Sequence, residues 1–233
     1  MAAMKPATFA ALVLLAAPAG AAERNYSVTS FDRIRIDGPY QVSLKTNVAP
    51  FAKASGTQAS LDGVSIKVEG RTLIVRTDSS GGWGGYPGEG RGPVTITLGT
   101  HDLATAWVNG AGALNVDKVK GLSFELAIQG SGLAKIDEVN VDQLRLGLSG
   151  SASTRLAGKA LKLTATVRGT STLDGEGLAV RDAVIGAEGP STVKAVVSGT
   201  AKVDALGLAS VTLAGSPSCT VKSQGSATVS GCR

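Results

Sequence analysis

Glycines recur at an almost constant interval in the second half of this chain. Gly110, Gly130, Gly150, Gly169 and Gly189 follow one another at nearly equal steps. Each opens a short word of small and hydroxyl residues, and a period of about 20 residues is typical of stacked repeats. The spacing therefore predicts units that must stack to bury their apolar side chains.

Shorter steps appear toward the end of the chain. Similar words begin at Gly189 and Gly199, and again at Gly215 and Gly225. Each of these steps is half as long as the step between the earlier glycines, so the words are interpreted as half-length repeats of the same kind.

Apolar residues alternate with other residues between the glycine words, which indicates strands with one buried face. One predicted inward row comprises Leu122, Phe124, Leu126, Ile128, Leu144, Leu146, Leu148, Leu161, Leu163, Ala165 and Val167. A second row comprises Leu114, Val116, Ala134, Ile136, Leu156, Leu173, Val193, Val203, Cys219 and Val229. The pattern predicts an all-β parallel β-helix of two-layer coils, each with about 20 residues, two short strands and Gly-rich turns. A β-sandwich is the structural alternative, although its strands need not repeat at this spacing.

The first half is also β but less regular. Apolar residues alternate on both sides of the turn at Asp37-Gly38-Pro39, and again around Glu69-Gly70-Arg71, where they predict a hairpin. We therefore expect a single domain over residues 23–233, with irregular β coils at 23–108 and regular repeats at 109–233.

Residues 1–22 have the order of a secretory signal peptide. Lys5 precedes an apolar run from Phe9 to Ala17, and small residues follow up to Ala22. Cleavage after Ala21 or after Ala22 fits equally well. The apolar run is shorter than the ~20 residues that span a bilayer, so no transmembrane segment is expected. The mature protein is then exported, to the periplasm or to the cell surface.

Export makes a disulfide between Cys219 and Cys232 the favoured interpretation of the two cysteines. Two buried free thiols are the alternative. Such a bridge closes a short C-terminal loop and contributes about 3 kcal/mol on the loop-entropy model.

Composition disfavours most familiar chemistry. One His and two Cys leave no zinc ligand set and no spare members for a nucleophilic triad. The formal net charge of +5 is spread along the chain, whereas nucleic-acid binding needs clustered basic residues. We expect no cofactor, no metal site and no nucleic-acid partner.

Residues 79–92 form a glycine-rich segment between two predicted strands. The segment carries Trp83, Tyr86, Glu89 and Arg91, whose rings and polar groups are suited to contact a ligand. A flexible insertion whose rings fold back over an open end of the helix is the alternative, and it is favoured by the segment's length and glycine content.

Carboxylates are densest at Asp137, Glu138 and Asp142, and Asp174 with Glu176 forms a second group. A polysaccharide lyase or hydrolase needs two carboxylates that converge at about 5 to 10 Å. The repeat spacing does not stack these groups, so a solvated edge is favoured. His101 is interpreted as a turn residue. Outward hydroxyls predict a flat polar face, which suits solubility or recognition: Thr164, Thr166, Ser191, Thr192 and Thr200.

The order of three words resembles the head GIN domain family, a family of adhesin-like domains of unknown function. These words are FDRIRIDGPYQVSLKTN, LDGVSIKVEGRTLIVRT and PVTITLGTHDLATAWVNGAGAL, followed by the GSG-type coils. The resemblance covers essentially the whole mature chain. It implies a right-handed parallel β-helix similar in outline to pectin lyases, without their catalytic residues.

We therefore expect an exported, non-enzymatic interaction module that is adhesin-like or associated with the envelope. A surface glycan and an envelope protein are the candidate partners, and self-association through the open C-terminal end is a further possibility. A polysaccharide lyase or hydrolase is the alternative function.

Overall fold

The computed structural model describes residues 22–78 and 92–233. It is 72% strand and 3% helix, arranged as a parallel β-solenoid of about 6 turns. The all-β solenoid predicted from the glycine period is confirmed.

The described residues form seventeen strands and one short helix. In chain order these are β1 (Ala22–Tyr26), β2 (Arg33–Asp37), β3 (Gln41–Lys45), β4 (Phe51–Gly56), α1 (Gln58–Asp62), β5 (Val64–Glu69), β6 (Thr72–Thr77), β7 (Thr95–Gly99), β8 (Thr105–Gly110), β9 (Ala113–Gly130), β10 (Leu133–Gly150), β11 (Ser153–Arg168), β12 (Thr172–Glu188), β13 (Thr192–Val197), β14 (Thr200–Gly207), β15 (Ser210–Ala214), β16 (Ser218–Gly225) and β17 (Thr228–Ser230).

The strands stack into two faces, which we name face A and face B. Face A runs through β5, β6, β2, β8, the C-terminal halves of β9 to β12, β14 and β16. Face B runs through β1, β4, β7, β3, the N-terminal halves of β9 to β12, β13, β15 and β17. Among the described strands, antiparallel pairs occur only near the N-terminal end, where β5 and β6 form the predicted hairpin.

Each central coil is one bent strand, where two short strands were expected. The parallel ladder continues around the bend, where Val139 of β10 pairs with Val119 of β9, so the strand is not interrupted. Leu122 and Leu161, predicted to face inward, lie outside this bend with 79% and 54% of their surface exposed. Their assignment was wrong because the alternation changes phase where the chain passes from face B to face A.

The turn glycines stack in one column along the solenoid. Gly110, Gly130 and Gly150 pair in successive coils and have φ values of 95°, 110° and 95°. These are left-handed values, which side chains other than hydrogen disfavour. Glycine therefore supplies the turn conformation on which each coil closes.

The column of turn glycines continues toward the C-terminal end at a shorter spacing. The interpretation of the last words as half-length repeats was therefore wrong. Gly207 and Gly225, with φ values of 78° and 79°, pair with each other, so the last coils are slightly shorter than the central ones. The words at Gly199 and Gly215 belong to turns elsewhere in the coil. For this reason the second predicted row divides between the faces: Val193 lies on face B, whereas Val203 and Cys219 lie on face A.

Candidate interaction surfaces

Two predictions fall outside the residues that the structure describes. These are the binding segment that carries Trp83, Tyr86, Glu89 and Arg91, and the signal peptide up to residue 21. Ala22 begins strand β1.

In the first carboxylate group, which comprises Asp137, Glu138 and Asp142, two members form separate ion pairs. Asp137 accepts from Lys135 of the same strand at 2.6 Å, and Glu138 pairs with Lys118 of the preceding coil. Asp142 lies exposed on the bend. The structure does not bring these carboxylates to one reacting position.

The second group forms an ion-pair ladder on face B. Asp174 lies 2.8 Å from Arg155 of the preceding coil, and Glu176 lies 2.8 Å from Lys194 of the next. Because consecutive coils supply opposite charges, the pairs link neighbouring turns of the solenoid. All four side chains are at least partly exposed, so each pair contributes little to stability, about 0 to 1 kcal/mol.

Both groups contain a carboxyl held in its ionised form. The backbone N–H of Glu176 donates to Asp174, and this bond, together with Arg155, keeps the pKa of Asp174 below its usual value. The bond from Lys118 lowers the pKa of Glu138 in the same way. Neither residue is suited to act as a general acid at neutral pH, since that role needs a raised pKa.

His101 lies in the turn after β7. Its backbone carbonyl accepts from the Asn47 N–H at 2.9 Å. Within residues 22–78 and 92–233, no group of three or more His, Cys, Asp and Glu side chains could hold a metal ion. In the same ranges, no helix is long and apolar enough to cross a membrane.

The predicted hydroxyl face is not a single surface. Thr164 and Thr166 lie on face A, Thr192 lies on face B and Ser191 is buried. Thr200 donates its hydroxyl to Asp182 at 2.7 Å. Instead, a different hydroxyl column crosses face B and comprises Ser153, Thr172, Thr192, Ser210 and Thr228.

The predicted disulfide is present near the C-terminal end. Cys219 and Cys232 are bonded, with their Cα atoms 5.6 Å apart, and the N–H of Arg233 donates to the carbonyl of Pro217 at 3.0 Å. Every residue of β16 except Cys219 is exposed, and among the described strands only β14 pairs with it. The bridge therefore ties the chain terminus to the last coil of face A.

We expect reduction of this disulfide to loosen the C-terminal coil before the rest of the solenoid. The bond closes a short loop, and its loss removes about 3 kcal/mol of stabilisation on the loop-entropy model. Amide hydrogen exchange with and without reductant measures the effect strand by strand. Unchanged protection in β14 and β16, or loss spread evenly over all coils, would contradict the expectation.

Sequence reasoning missed a polar and aromatic surface at the N-terminal part of face A. Trp107 of β8 is partly exposed and lies between Arg35 of β2 and Ala127 of β9 in the ladder. The alternation in the sequence could have identified this residue, because Trp107 takes the outward position between two buried residues, Ala106 and Val108.

Asp37 holds the polar groups beside the Trp107 ring in place. Its carboxylate accepts from Arg35 Nε at 3.0 Å and from Asn109 Nδ2 at 2.6 Å. The guanidinium and the amide are therefore held next to Trp107, and the charge of Arg35 is compensated. Glu69, Thr72, Ile74 and Gln129 complete a shallow cleft of about 470 Å³ around the ring.

Together, the fold and these surfaces define a β-solenoid with two extended β faces. Residues 30–217 match the family described as "putative auto-transporter adhesin, head GIN domain". The chain belongs to this family, as the resemblance implied. The description is that of an exported or surface protein.

Solved structures with the same fold come from Bacteroides and Parabacteroides. A putative adhesin from Bacteroides fragilis NCTC 9343 superposes with a TM-score of 0.80 at 16% identity, over 90% of this chain and 95% of that chain. A putative lipid binding protein from Parabacteroides distasonis ATCC 8503 gives 0.72 at 15% identity, over 91% and 96%. A putative adhesin from Parabacteroides merdae ATCC 43184 gives 0.68 at 15% identity, over 91% and 96%.

At these identities the similarity concerns the fold alone. No curated protein matches the chain in sequence.

Proposed function

We propose that this protein is an exported, non-enzymatic module that binds a component of the cell envelope in an adhesin-like manner. The observation that carries the proposal is the division of the carboxylates into separate ion pairs with Lys and Arg on neighbouring strands. Each pair holds a carboxylate against Lys or Arg on the outer surface, and the pairs do not bring two carboxylates together at a catalytic position. Membership of an adhesin family and the signal-peptide pattern at residues 1–22 support the same function.

The glycine-rich segment is proposed as one contact to that component. Trp83 and Tyr86 supply rings, and Glu89 and Arg91 supply hydrogen-bonding groups. Aromatic and Arg side chains are enriched among the residues that dominate binding energies.

Binding to isolated envelopes tests this function. The purified protein, residues 23–233, is expected to sediment with envelope preparations in a saturable manner. No new reducing ends of polysaccharide are expected to be released. Replacing both Trp83 and Tyr86 by Ala is expected to weaken binding about tenfold or more and to leave the circular dichroism spectrum unchanged.

Two outcomes would contradict the proposal. One is the absence of saturable binding to any envelope fraction. The other is cleavage of an envelope polysaccharide that is lost when Asp137, Asp142 or Asp174 is replaced by Asn, which would establish the lyase or hydrolase alternative.

A further inference from the structure

A row of five outward residues runs along the centre of face A, beginning at Trp107, and forms a shallow trough because three of the five are Ala or Gly. Its floor is formed by the outward residues of successive coils, which pair in register: Trp107, Ala127, Gly147, Thr166 and Gly186. We call these five residues the face A trough. Ala127 and Gly147 are small, so they leave open space beside the indole ring.

Gly147 has no structural requirement for glycine. Its φ is not in the left-handed region, and a Cβ built on it would meet no atom within 4 Å. Glycine in the interior of a strand is destabilising by roughly 0.5–1 kcal/mol relative to Ala. A glycine inside a strand often marks a bulge, a tight bend, or a place where a ligand or another backbone approaches closely. Gly147 lies in a continuous part of the ladder, with no irregularity beside it.

Longer polar side chains line both sides of the open floor. Glu125 and Arg145 lie on one side of Ala127 and Gly147, and Gln129 and Ser149 lie on the other. Arg145 Nη2 donates to Gln143 Oε1 at 2.8 Å, toward the bend and away from the floor. Arg145 is therefore directed away from Gly147, where the space above the backbone is open.

The polar groups at the Trp107 end are suited to an uncharged ligand rich in hydroxyls. Arg35 Nε also lies 2.9 Å from Asp37 Oδ2, so these two charges compensate each other. Glu69, which lines the same cleft and forms no ion pair among the described residues, disfavours an anionic ligand. Among the described residues, no atom accepts the indole N–H of Trp107, and this group is not buried. Asn109 Nδ2 is taken by Asp37, which fixes the amide with its oxygen as the remaining acceptor.

We propose that the face A trough binds a neutral glycan, with one sugar ring stacked on Trp107 and the next residues lying over Ala127 and Gly147. Pyranose rings with equatorial substituents present a flat C–H face that packs on an aromatic ring, and their hydroxyls at the rim can bond to amides and to an indole N–H. This proposal rests on the proposed envelope-binding function and names the chemical class of its ligand.

Tryptophan fluorescence tests the site directly, because the chain has only two Trp residues. The Trp83→Phe variant leaves Trp107 as the sole indole. We expect titration of this variant with cellotetraose or N-acetylchitotetraose, whose rings carry equatorial substituents, to shift the emission maximum and to saturate.

Two substitutions separate binding from folding. Trp107→Ala in the native chain is expected to raise the dissociation constant, measured by calorimetry, about tenfold or more. Gly147→Gln places a long side chain over the floor at a position with room for it, so we expect weaker binding with unchanged or higher thermal stability. Lys222→Gln, in the same column at the last coil, is the matched control and is expected to bind normally.

The outcomes distinguish this inference from the proposed function. If neither oligosaccharide alters Trp107 fluorescence and no pyranose on a glycan array binds, the trough is not a glycan site, whatever the envelope assay shows. Normal binding by both Trp107→Ala and Gly147→Gln also overturns the inference. Loss of oligosaccharide binding in these two variants but not in Lys222→Gln supports it.

Discussion

Replacing Gly150 by Ala is expected to lower the free energy of unfolding by about 2 to 5 kcal/mol. The residue has a φ of 95°, and a left-handed conformation costs an L residue roughly 1–2 kcal/mol. The new Cβ would also lie 2.6 Å from the carbonyl oxygen of Gly130, which accepts the Ser151 N–H at 2.8 Å. Relief of that overlap must move the backbone of two coils, at a further cost of about 1–3 kcal/mol.

Gly147→Ala is the matched control, since it lies on the same strand shortly before the turn. Its backbone conformation is ordinary and the added methyl group meets nothing within 4 Å. We expect no loss of stability and a gain of up to about 1 kcal/mol. Urea unfolding of both variants, followed by circular dichroism, measures the difference. Equal losses at the two positions would show that stacking of the turn glycines is not what the coils require.

The sequence predicted the architecture well where one physical requirement repeats. The same left-handed turn recurs at one fixed place in each coil, so glycine recurs there, and Gly110 to Gly189 mark the period. The step then shortens, as the pairing of Gly207 with Gly225 shows, and Gly207 is followed by Leu-Ala-Ser, which does not resemble the other words. The regular continuation of the column was therefore missed.

The alternation rule gave the wrong burial at the bend for a local reason. Alternation assigns a side chain to one face of a strand, but at the bend a strand passes from one face to the other. Leu122 and Phe124 belong to one alternating run in sequence, yet only Phe124 lies beyond the bend and faces inward. Gly121, with a φ of 148°, lies at this bend, but Val141 takes the equivalent position in the next coil, so no constant residue type marks the change.

The surface around Trp107 could not be assembled from the sequence. Arg35 and Trp107 are far apart along the chain and become neighbours only because β2 and β8 pair in parallel. That pairing brings the irregular first half of the chain onto the same face as the regular coils. The repeat, which predicted the second half, carries no information on it.

The core narrows toward the C-terminal end, and one inward column shows this directly. Phe124, Leu144, Leu163, Ala183 and Ala201 pair in consecutive coils, so the side chain at one position shrinks from a ring to a methyl group. The coils at the Ala201 end of this column are also shorter, since Gly207 and Gly225 pair at a smaller spacing than Gly110, Gly130 and Gly150. A shorter coil encloses less space, and the smaller side chains match it because interiors are close-packed.

Phe124→Ala is therefore expected to lower the free energy of unfolding by about 3 to 5 kcal/mol. The ring is 1% exposed, and the Leu144 side chain in the next coil is held by its own strand and cannot fill the space. Phe124→Leu, which reproduces the residue of the next coil, is expected to cost less than half as much. Ala183→Phe tests the narrowing itself, because the same ring at a position that now holds only a methyl group overpacks the core and costs about 1–3 kcal/mol or more. Chemical denaturation of the three variants measures these changes, and tolerance of Phe at position 183 would contradict a core that narrows.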